Sequence, residues 1–383
     1  MPVLSNKKIL IISPQYWGKM FVSKHHYAVE LAKRNNTVYF LNPIDIKPTG
    51  RKERIKIHAV QAVPNLYYVE HRLWFPFQIK FHTPWVFHFL MKFHVKQLLN
   101  AMKVDFDIVW SFDLGDFIPL KFIPARLHVF HPVDEPMNST AILSARGADI
   151  LFSTTDEIRN KYRGYNIPSY KIQHGLSDEF LKSIEHNVTP GGRVRVGMSG
   201  NLTRKDIDRI TLLKIVNSHP EIEFNLWGAF SSENTNIGGG EDIETQEFIQ
   251  AMQKLPNVLF HGPVPTGILA RELQAMDAFL ICYLPGDDPE RGTNYHKVLE
   301  YLSVGKVIIS SYVTEYADKR ALIEMPQERN NSSLFELFTN IINNLSSYND
   351  KNRITQRRAY ALDNTYHSQV NRMELLIEKH FNF

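Results

Sequence analysis

At 383 residues, 43% of them hydrophobic, the chain is longer than one ordinary core organises, which predicts two domains of roughly 150–200 residues. A single cysteine, Cys282, excludes an intramolecular disulfide framework and fits a reducing compartment. The net charge of +4 conceals an asymmetry: residues 1–103 hold 16 Lys and Arg against 4 Asp and Glu, a net of +12, and the remainder carries −8.

The chain enters an apolar run almost at once, so neither a cleavable leader nor a bilayer-crossing stretch of ~20 residues is expected. KKILIIS (7–13), NTVYFLN (36–42), FDIVWSF (106–112), RLHVFHP (126–132) and ADILFST (148–154) are short continuous apolar runs, as parallel strands buried on both faces require. SKHHYAVELAKR (23–34) has helical spacing between the first two. The alternation predicts a doubly wound domain over 1–182. Ligands of such sheets bind outside the carboxyl ends of the strands. That rule points to the loop after the first strand, where Trp17, Lys24 and His25 are candidate acceptor contacts.

Residues 71–103 interleave Trp74, Phe75, Phe77, Phe81, Trp85, Phe87, Phe89 and Phe93 with Lys80, Lys92, Lys96 and several histidines. Basic plus aromatic suits an anionic membrane surface, because rings settle among headgroups while cations meet phosphates. A core-packing helix with a solvated basic face is the alternative. No recognition motif for nucleic acid accompanies the charge, so none is expected as a partner. Asp105-Phe106-Asp107 precedes its strand and points away from the carboxyl edge, which argues against a metal there. After the next strand, RLHVFHPVDEPMNS presents His131, Asp134 and Glu135. Between Pro132 and Pro136, Asp134 is a plausible turn residue, yet a carboxylate at that edge can also act as a general base.

LKSIEHNVTPGGR is polar and broken, and 183–193 is read as a linker. The alternation then restarts with RVRVGMS, IEFNLWG, NVLFHG, AFLICYL and KVIISS, separated by helical stretches around 205–218, 243–254, 267–276 and 294–304. A second Rossmann-like domain is expected over 194–365, and a helix over 366–383 that packs back on the first. The fold class is therefore α/β, with two Rossmann-like domains facing across a cleft. NTNIGGGED (234–242) lacks P-loop register. Asp287, Asp288, Glu290 and Arg291 are expected in a charged loop that could close over a sugar.

GTNYHKVLEYLSVGKVIIS (292–310) combines a polar start, where Thr293 or Asn294 can cap a helix, with Lys297 and Glu300 on one face and a stop at Gly305. Helix-terminal amides and the Lys297 cation suit a diphosphate, and the Glu300 carboxylate suits two ribose hydroxyls. The same spacing is also that of an ordinary helical ion pair.

The order strand, HGPV, short helix, AMDAFLICYLPGDD, NYHKVLEYLSVGKVIISS resembles the donor half of GT-B glycosyltransferases of the family 4 kind, most specifically over 257–312. Many of those enzymes carry two glutamates seven residues apart here; the second is Glu300, while Gly292 stands at the first. The Lys-x-x-Glu-Tyr pattern is similar to xanthan-type glucuronosyltransferases and teichuronic-acid glycosyltransferases. That resemblance implies donor contacts at Gly200, Asn201, Tyr283, Lys297 and Glu300, with Asp134 as catalytic base; Thr293, Asn294 and His296 at the polar helix start are further candidate donor contacts, and His131 is a candidate acceptor contact. It implies a metal-independent, cofactor-free transferase. A hexosyl or uronosyl group would pass from a nucleotide diphosphate donor, UDP favoured, to a saccharide or lipid-linked acceptor in bacterial surface polysaccharide assembly, with inversion. The location implied is cytoplasmic, peripheral on the inner face of the plasma membrane. Retaining transfer, nucleotide-sugar epimerisation and a non-catalytic sugar-nucleotide binding subunit are the alternatives.

Overall fold

The continuous apolar runs become strands, and all but the edge strand Val258–Gly262 are buried along most of their length. In the computed structural model, which describes residues 2–18, 21–46, 53–184, 192–231, 242–286 and 291–381, the chain divides into two units. One comprises Met1–Gln173 with Tyr366–Phe383, the other His174–Thr365. The first holds β1 (Lys8–Ile12), β2 (Thr37–Leu41), β3 (Ile55–Ala59), β4 (Leu66–His71), β5 (Ile108–Ser111), β6 (Leu127–Phe130), β7 (Ile150–Ser153) and β8 (Ser169–Lys171). They form one eight-stranded sheet in the order β3-β4-β2-β1-β5-β6-β7-β8, parallel except where β3 runs antiparallel to β4. The order reverses beside β1, so the loops after β1 and β5 flank a switch point.

Helices α1 (Ser23–Ala32), α2 (Ile79–His82), α3 (Pro84–Met102), α4 (Ser139–Leu143) and α5 (Asp156–Asn160) belong to this unit. One core gathers Ile9, Ile11, Tyr27, Phe40, Trp110 and Phe152. The other gathers Leu10, Leu41, Val69, Phe87, Met91, Val95 and Phe130. Adjacent residues of β1 thus feed different cores, as a period of two requires.

In the second unit β9 (Arg195–Ser199), β10 (Glu223–Trp227), β11 (Val258–Gly262), β12 (Ala278–Ile281) and β13 (Val307–Ser310) form a parallel sheet ordered β11-β10-β9-β12-β13. Its helices are α6 (Asp178–Ser183), α7 (Arg209–Ser218), α8 (Ile243–Gln253), α9 (Thr266–Leu273), α10 (Lys297–Val304), α11 (Leu334–Asn343), α12 (Leu345–Tyr348) and α13 (Lys351–Asp363). The boundary precedes the expected 183–193 linker because residues 174–184 are structured within this unit. Phe180 of α6 is buried in its core, and the Leu176 amide donates to the Asn364 carbonyl at 2.7 Å. Most of the linker itself, residues 185–191, lies outside the described residues, as do Asp287, Asp288, Glu290 and most of 234–242.

After α13 the chain returns to the first unit as α14 (Tyr366–Glu378), which buries Val370, Met373 and Ile377 there. Polar contacts fix its register on α1: Arg34 donates to Glu374 at 3.1 Å and to Asn371 at 2.5 Å, and His367 Nδ1 lies 2.8 Å from Glu30. Among the described residues no helix is long and apolar enough to cross a membrane.

Candidate active site

Three strand ends of the second unit turn together, and glycine makes that possible. Gly200 after β9 has φ +138°, Gly228 after β10 has φ +121°, and Gly262 ends β11 with φ +70°. Their backbones interlock: the Gly200 amide donates to Trp227 O and the Gly228 amide to Gly262 O, each at 2.8 Å. A side chain on Gly228 would collide with the Gly200 carbonyl, and a Cβ on Gly200 would sit 2.5 Å from Lys297 Nζ. Lys297 is buried, at 7% exposure, at the start of α10. It donates to the Ser199 carbonyl and, at 2.7 Å, to the Tyr283 hydroxyl, with its ammonium 5.0 Å from the centre of the Tyr283 ring.

The simple helical pair is not formed. Among the described residues the carboxylate of Glu300 has its ion-pair contact with His296, at 3.6 Å, not with Lys297. Burial raises the Glu300 carboxyl from 4.5 to about 7, with the Lys297 charge opposing the rise. The lysine therefore brings a buried cation to the carboxyl edge held by neutral oxygens, an arrangement that favours an anionic ligand.

Two details of the expected helix start are corrected. α10 begins at Lys297 after His296, with no side-chain cap. Thr293 instead clasps the loop after β13: its amide donates to Thr314 Oγ1 at 2.7 Å and its hydroxyl accepts from the Thr314 amide at 3.0 Å. The amides of Val298 and Leu299 donate to Tyr295 O and His296 O, so these two are already spent. Asn294 contributes its carbonyl to His174 Nε2 at 3.0 Å, and Asn201 closes a turn by accepting from the Thr203 amide and hydroxyl.

In the first unit Asp134 follows β6 with its side chain 67% exposed and one oxygen 3.2 Å from the ammonium of buried Lys24. Lys24 is thereby committed to the carboxylate. Glu135, its neighbour, pairs with Lys161. The two histidines expected near an acceptor are core groups, which corrects that expectation. His131 is fully buried among Tyr27, Phe112 and Phe152, with Trp110 Nε1 3.4 Å from its Nδ1. His25 stacks between Phe21 and Phe40. Its Nδ1 accepts from the Val22 amide at 3.1 Å, which leaves Nε2 to donate to the Tyr16 carbonyl at 3.0 Å. Burial lowers its pKa from 6.5 to about 4. Trp17 packs its ring against Phe21, His25 and Phe40, and its amide donates to Asn42. Asp107, of the Asp-Phe-Asp stretch, accepts from the Lys8 amide at 2.9 Å. Among the described residues no group of three or more His, Cys, Asp or Glu could hold a metal ion.

No protein-family profile and no curated protein sequence matches the chain. Solved structures do match it over nearly its whole length. One is the E. coli trehalose-6-phosphate structure bound with UDP-2-fluoro glucose, with 13% identity, TM-score 0.67, 98% of this chain and 99% of that chain covered. Sucrose-phosphate synthase from Thermosynechococcus elongatus gives 13% identity, TM-score 0.66 and coverages of 97% and 98%. HepE from Anabaena in complex with UDP and glucose gives 13%, 0.66, 98% and 100%. The chain has the GT-B fold.

Several supporting residues at this edge escape a linear reading. Tyr301 stacks on Phe279 at 4.2 Å, and its hydroxyl accepts from the Ser199 amide at 2.6 Å, tying α10 to the end of β9. Asn331 donates to both Asp208 and the Tyr283 carbonyl, at 2.8 and 2.9 Å. Arg204 pairs with Asp206 while lying 5.6 Å from the Tyr283 ring centre. Apart from the Arg204–Asp206 pair, little of this could have been signalled in sequence, since the hydrogen-bond partners of Tyr301 and Asn331 are 48 to 123 positions away.

Proposed function

We propose that this protein is a glycosyltransferase of the family 4 kind, acting without a metal, that moves a hexosyl or uronosyl group from a UDP-sugar to a saccharide or lipid-linked acceptor. Buried Lys297 carries the reading. A cation that donates to a carbonyl and a phenol oxygen at the carboxyl edge suits a leaving diphosphate, and structures of the same fold bind UDP and UDP-glucose. Gly200 leaves room for backbone approach, and Glu300 is available to the ribose hydroxyls.

In the proposed inverting step an acceptor hydroxyl oxygen bonds to the anomeric carbon as the bond from that carbon to the diphosphate oxygen breaks. The acceptor proton passes to Asp134, and the charge gained by the diphosphate is met by Lys297. Lys24 holds the Asp134 carboxylate in place. The role is bacterial surface polysaccharide assembly at the cytoplasmic face of the plasma membrane.

The experiment is a donor panel read first by thermal shift, where a ligand at 100 times its Kd adds about 2.7 kcal/mol, then by product anomer. Stabilisation by UDP and a β-linked product from an α-linked donor are expected. Conversion of the donor without acceptor would identify an epimerase. Binding without any turnover would identify a sugar-nucleotide binding subunit, the reading that Gly292 in place of a glutamate favours.

A further inference from the structure

We propose that one face of α3 is a docking surface for an anionic lipid bilayer, with the helix lying along the headgroup layer. This goes beyond the donor-site reading and does not rest on it. The buried face of α3 is supplied by Phe87, Met91, His94, Val95, Leu98 and Met102. The opposite face carries a second apolar row, Trp85, Phe89 and Phe93, exposed by 75%, 56% and 50%, and Phe81 of α2 precedes it. Positions four apart lie on one side of a helix, and Phe89 and Phe93 meet edge to face at 5.3 Å. Folding therefore leaves a continuous aromatic ridge in water, which the core does not require.

Charge selects the partner. From 71 to 104 the sequence contains Arg72, Lys80, Lys92, Lys96 and Lys103 and no acidic residue. Lys92 and Lys96 are exposed and border the ridge, each three positions beyond one of its phenylalanines. A protein groove would welcome the rings but has no need of a helix whose own segment carries no acid; the nearby carboxylates Asp113 and Asp116 come from a later loop, beside Lys80 and His88. A bilayer offers both halves: an acyl boundary for the rings and a layer of phosphates for ammonium groups on flexible stems. At 19 residues, α3 is about 28 Å long, enough to lay the whole row down at once.

The test uses the full chain with vesicles of phosphatidylcholine alone or with about one-third phosphatidylglycerol, without nucleotide, so its outcome is separable from that of the donor experiment. Co-sedimentation should require the anionic lipid and fall as salt is raised. Each lysine contributes about 1 kcal/mol near such a surface, roughly fivefold, so Lys92→Gln with Lys96→Gln should weaken partitioning about 25-fold. Phe89→Ser with Phe93→Ser should weaken it at least tenfold while leaving the far-ultraviolet circular dichroism and melting temperature of the exposed-site variant unchanged. The emission of Trp85, isolated by difference from Trp85→Phe, should shift to the blue on binding. Equal binding to neutral and anionic vesicles would overturn the proposal. So would unaltered partitioning of both double variants, or concentration-dependent self-association or RNA binding that the ridge variants abolish while lipid binding stays absent.

Discussion

Replacing Lys297 with methionine separates what the lysine does for the fold from what it does for a ligand. The change keeps the length of the side chain, so it opens little cavity, but it removes the donors to Ser199 O and Tyr283 OH. Each oxygen left without its partner costs about 1–3 kcal/mol. Against this, a buried charge and its desolvation penalty also disappear, and replacing buried ionic groups with apolar ones of similar volume is often neutral or better. The two terms are of the same size, so stability of the free protein should change by no more than about 2 kcal/mol. UDP has no such compensation: the charge-assisted hydrogen bond to its diphosphate, about 1.5–3 kcal/mol, is simply lost. Titration calorimetry should then show UDP binding about 10- to 150-fold weaker, with uridine within about threefold of its original affinity. Equal losses for uridine and UDP, or undiminished UDP affinity in a folded variant, would refute the assignment of Lys297 to the diphosphate.

Glu300 gives a pH-dependent counterpart. Its carboxyl titrates near 7 when folded against 4.5 unfolded, so its contribution is fully present below pH 4.5 and is lost as pH rises through about 7. With 17% of the side chain still reached by water, Glu300→Gln should stabilise the protein at pH 8 by about 1–2 kcal/mol while weakening uridine binding; a less stable variant at pH 8 would show that the carboxylate is not penalised by burial. Three histidines act in the opposite sense. Burial lowers His25 and His94 to about 4 and His71 to about 3, so their stabilisation is complete above pH 6.5 and drains away as pH falls toward those values. In the Glu300→Gln background the urea midpoint should drop steadily from pH 6.5 to 4.5, and a flat profile would contradict their neutral burial. Asp134→Asn retains an acceptor for Lys24 but cannot take a proton; turnover should fall by roughly 10²–10⁴ with UDP affinity unchanged, and near-normal turnover would return Asp134 to a turn residue.

Ten parallel strands are legible in the sequence as continuous apolar runs that need no partner to be recognised; nine are buried along most of their length, while β11, at a sheet edge, leaves Leu259 exposed. β3 and β4 are not legible, since the IKIHA and LYYVEH segments pair antiparallel at the sheet edge and mix half-exposed polar residues with apolar ones. β8, three half-buried residues, carries too little pattern of any kind. At the candidate site Lys297, Gly200 and Tyr283 are recoverable because a helix start and two strand ends must meet at a carboxyl edge. His25 and His131 mislead for the converse reason. Sitting beside that edge in sequence, they read as polar loop groups, whereas packing of His25 on Phe40 and of His131 against Phe112 makes them part of the core. Residue identity does not reveal which way a histidine turns; only its neighbours in space do.

Because α14 belongs to the unit that begins with β1, the first unit is built from two separated stretches of chain, and the second is an uninterrupted insert between them. During vectorial synthesis the insert has all its strands and helices by Thr365, while the earlier unit still lacks the helix that covers Tyr27 and Leu31 of α1. The part made first is thus completed last. Until 366–378 emerges, α1 presents an uncovered apolar face, the kind of surface that folding factors hold, and a chain cut short after residue 365 would leave the insert whole while damaging the unit at the other end of the sequence.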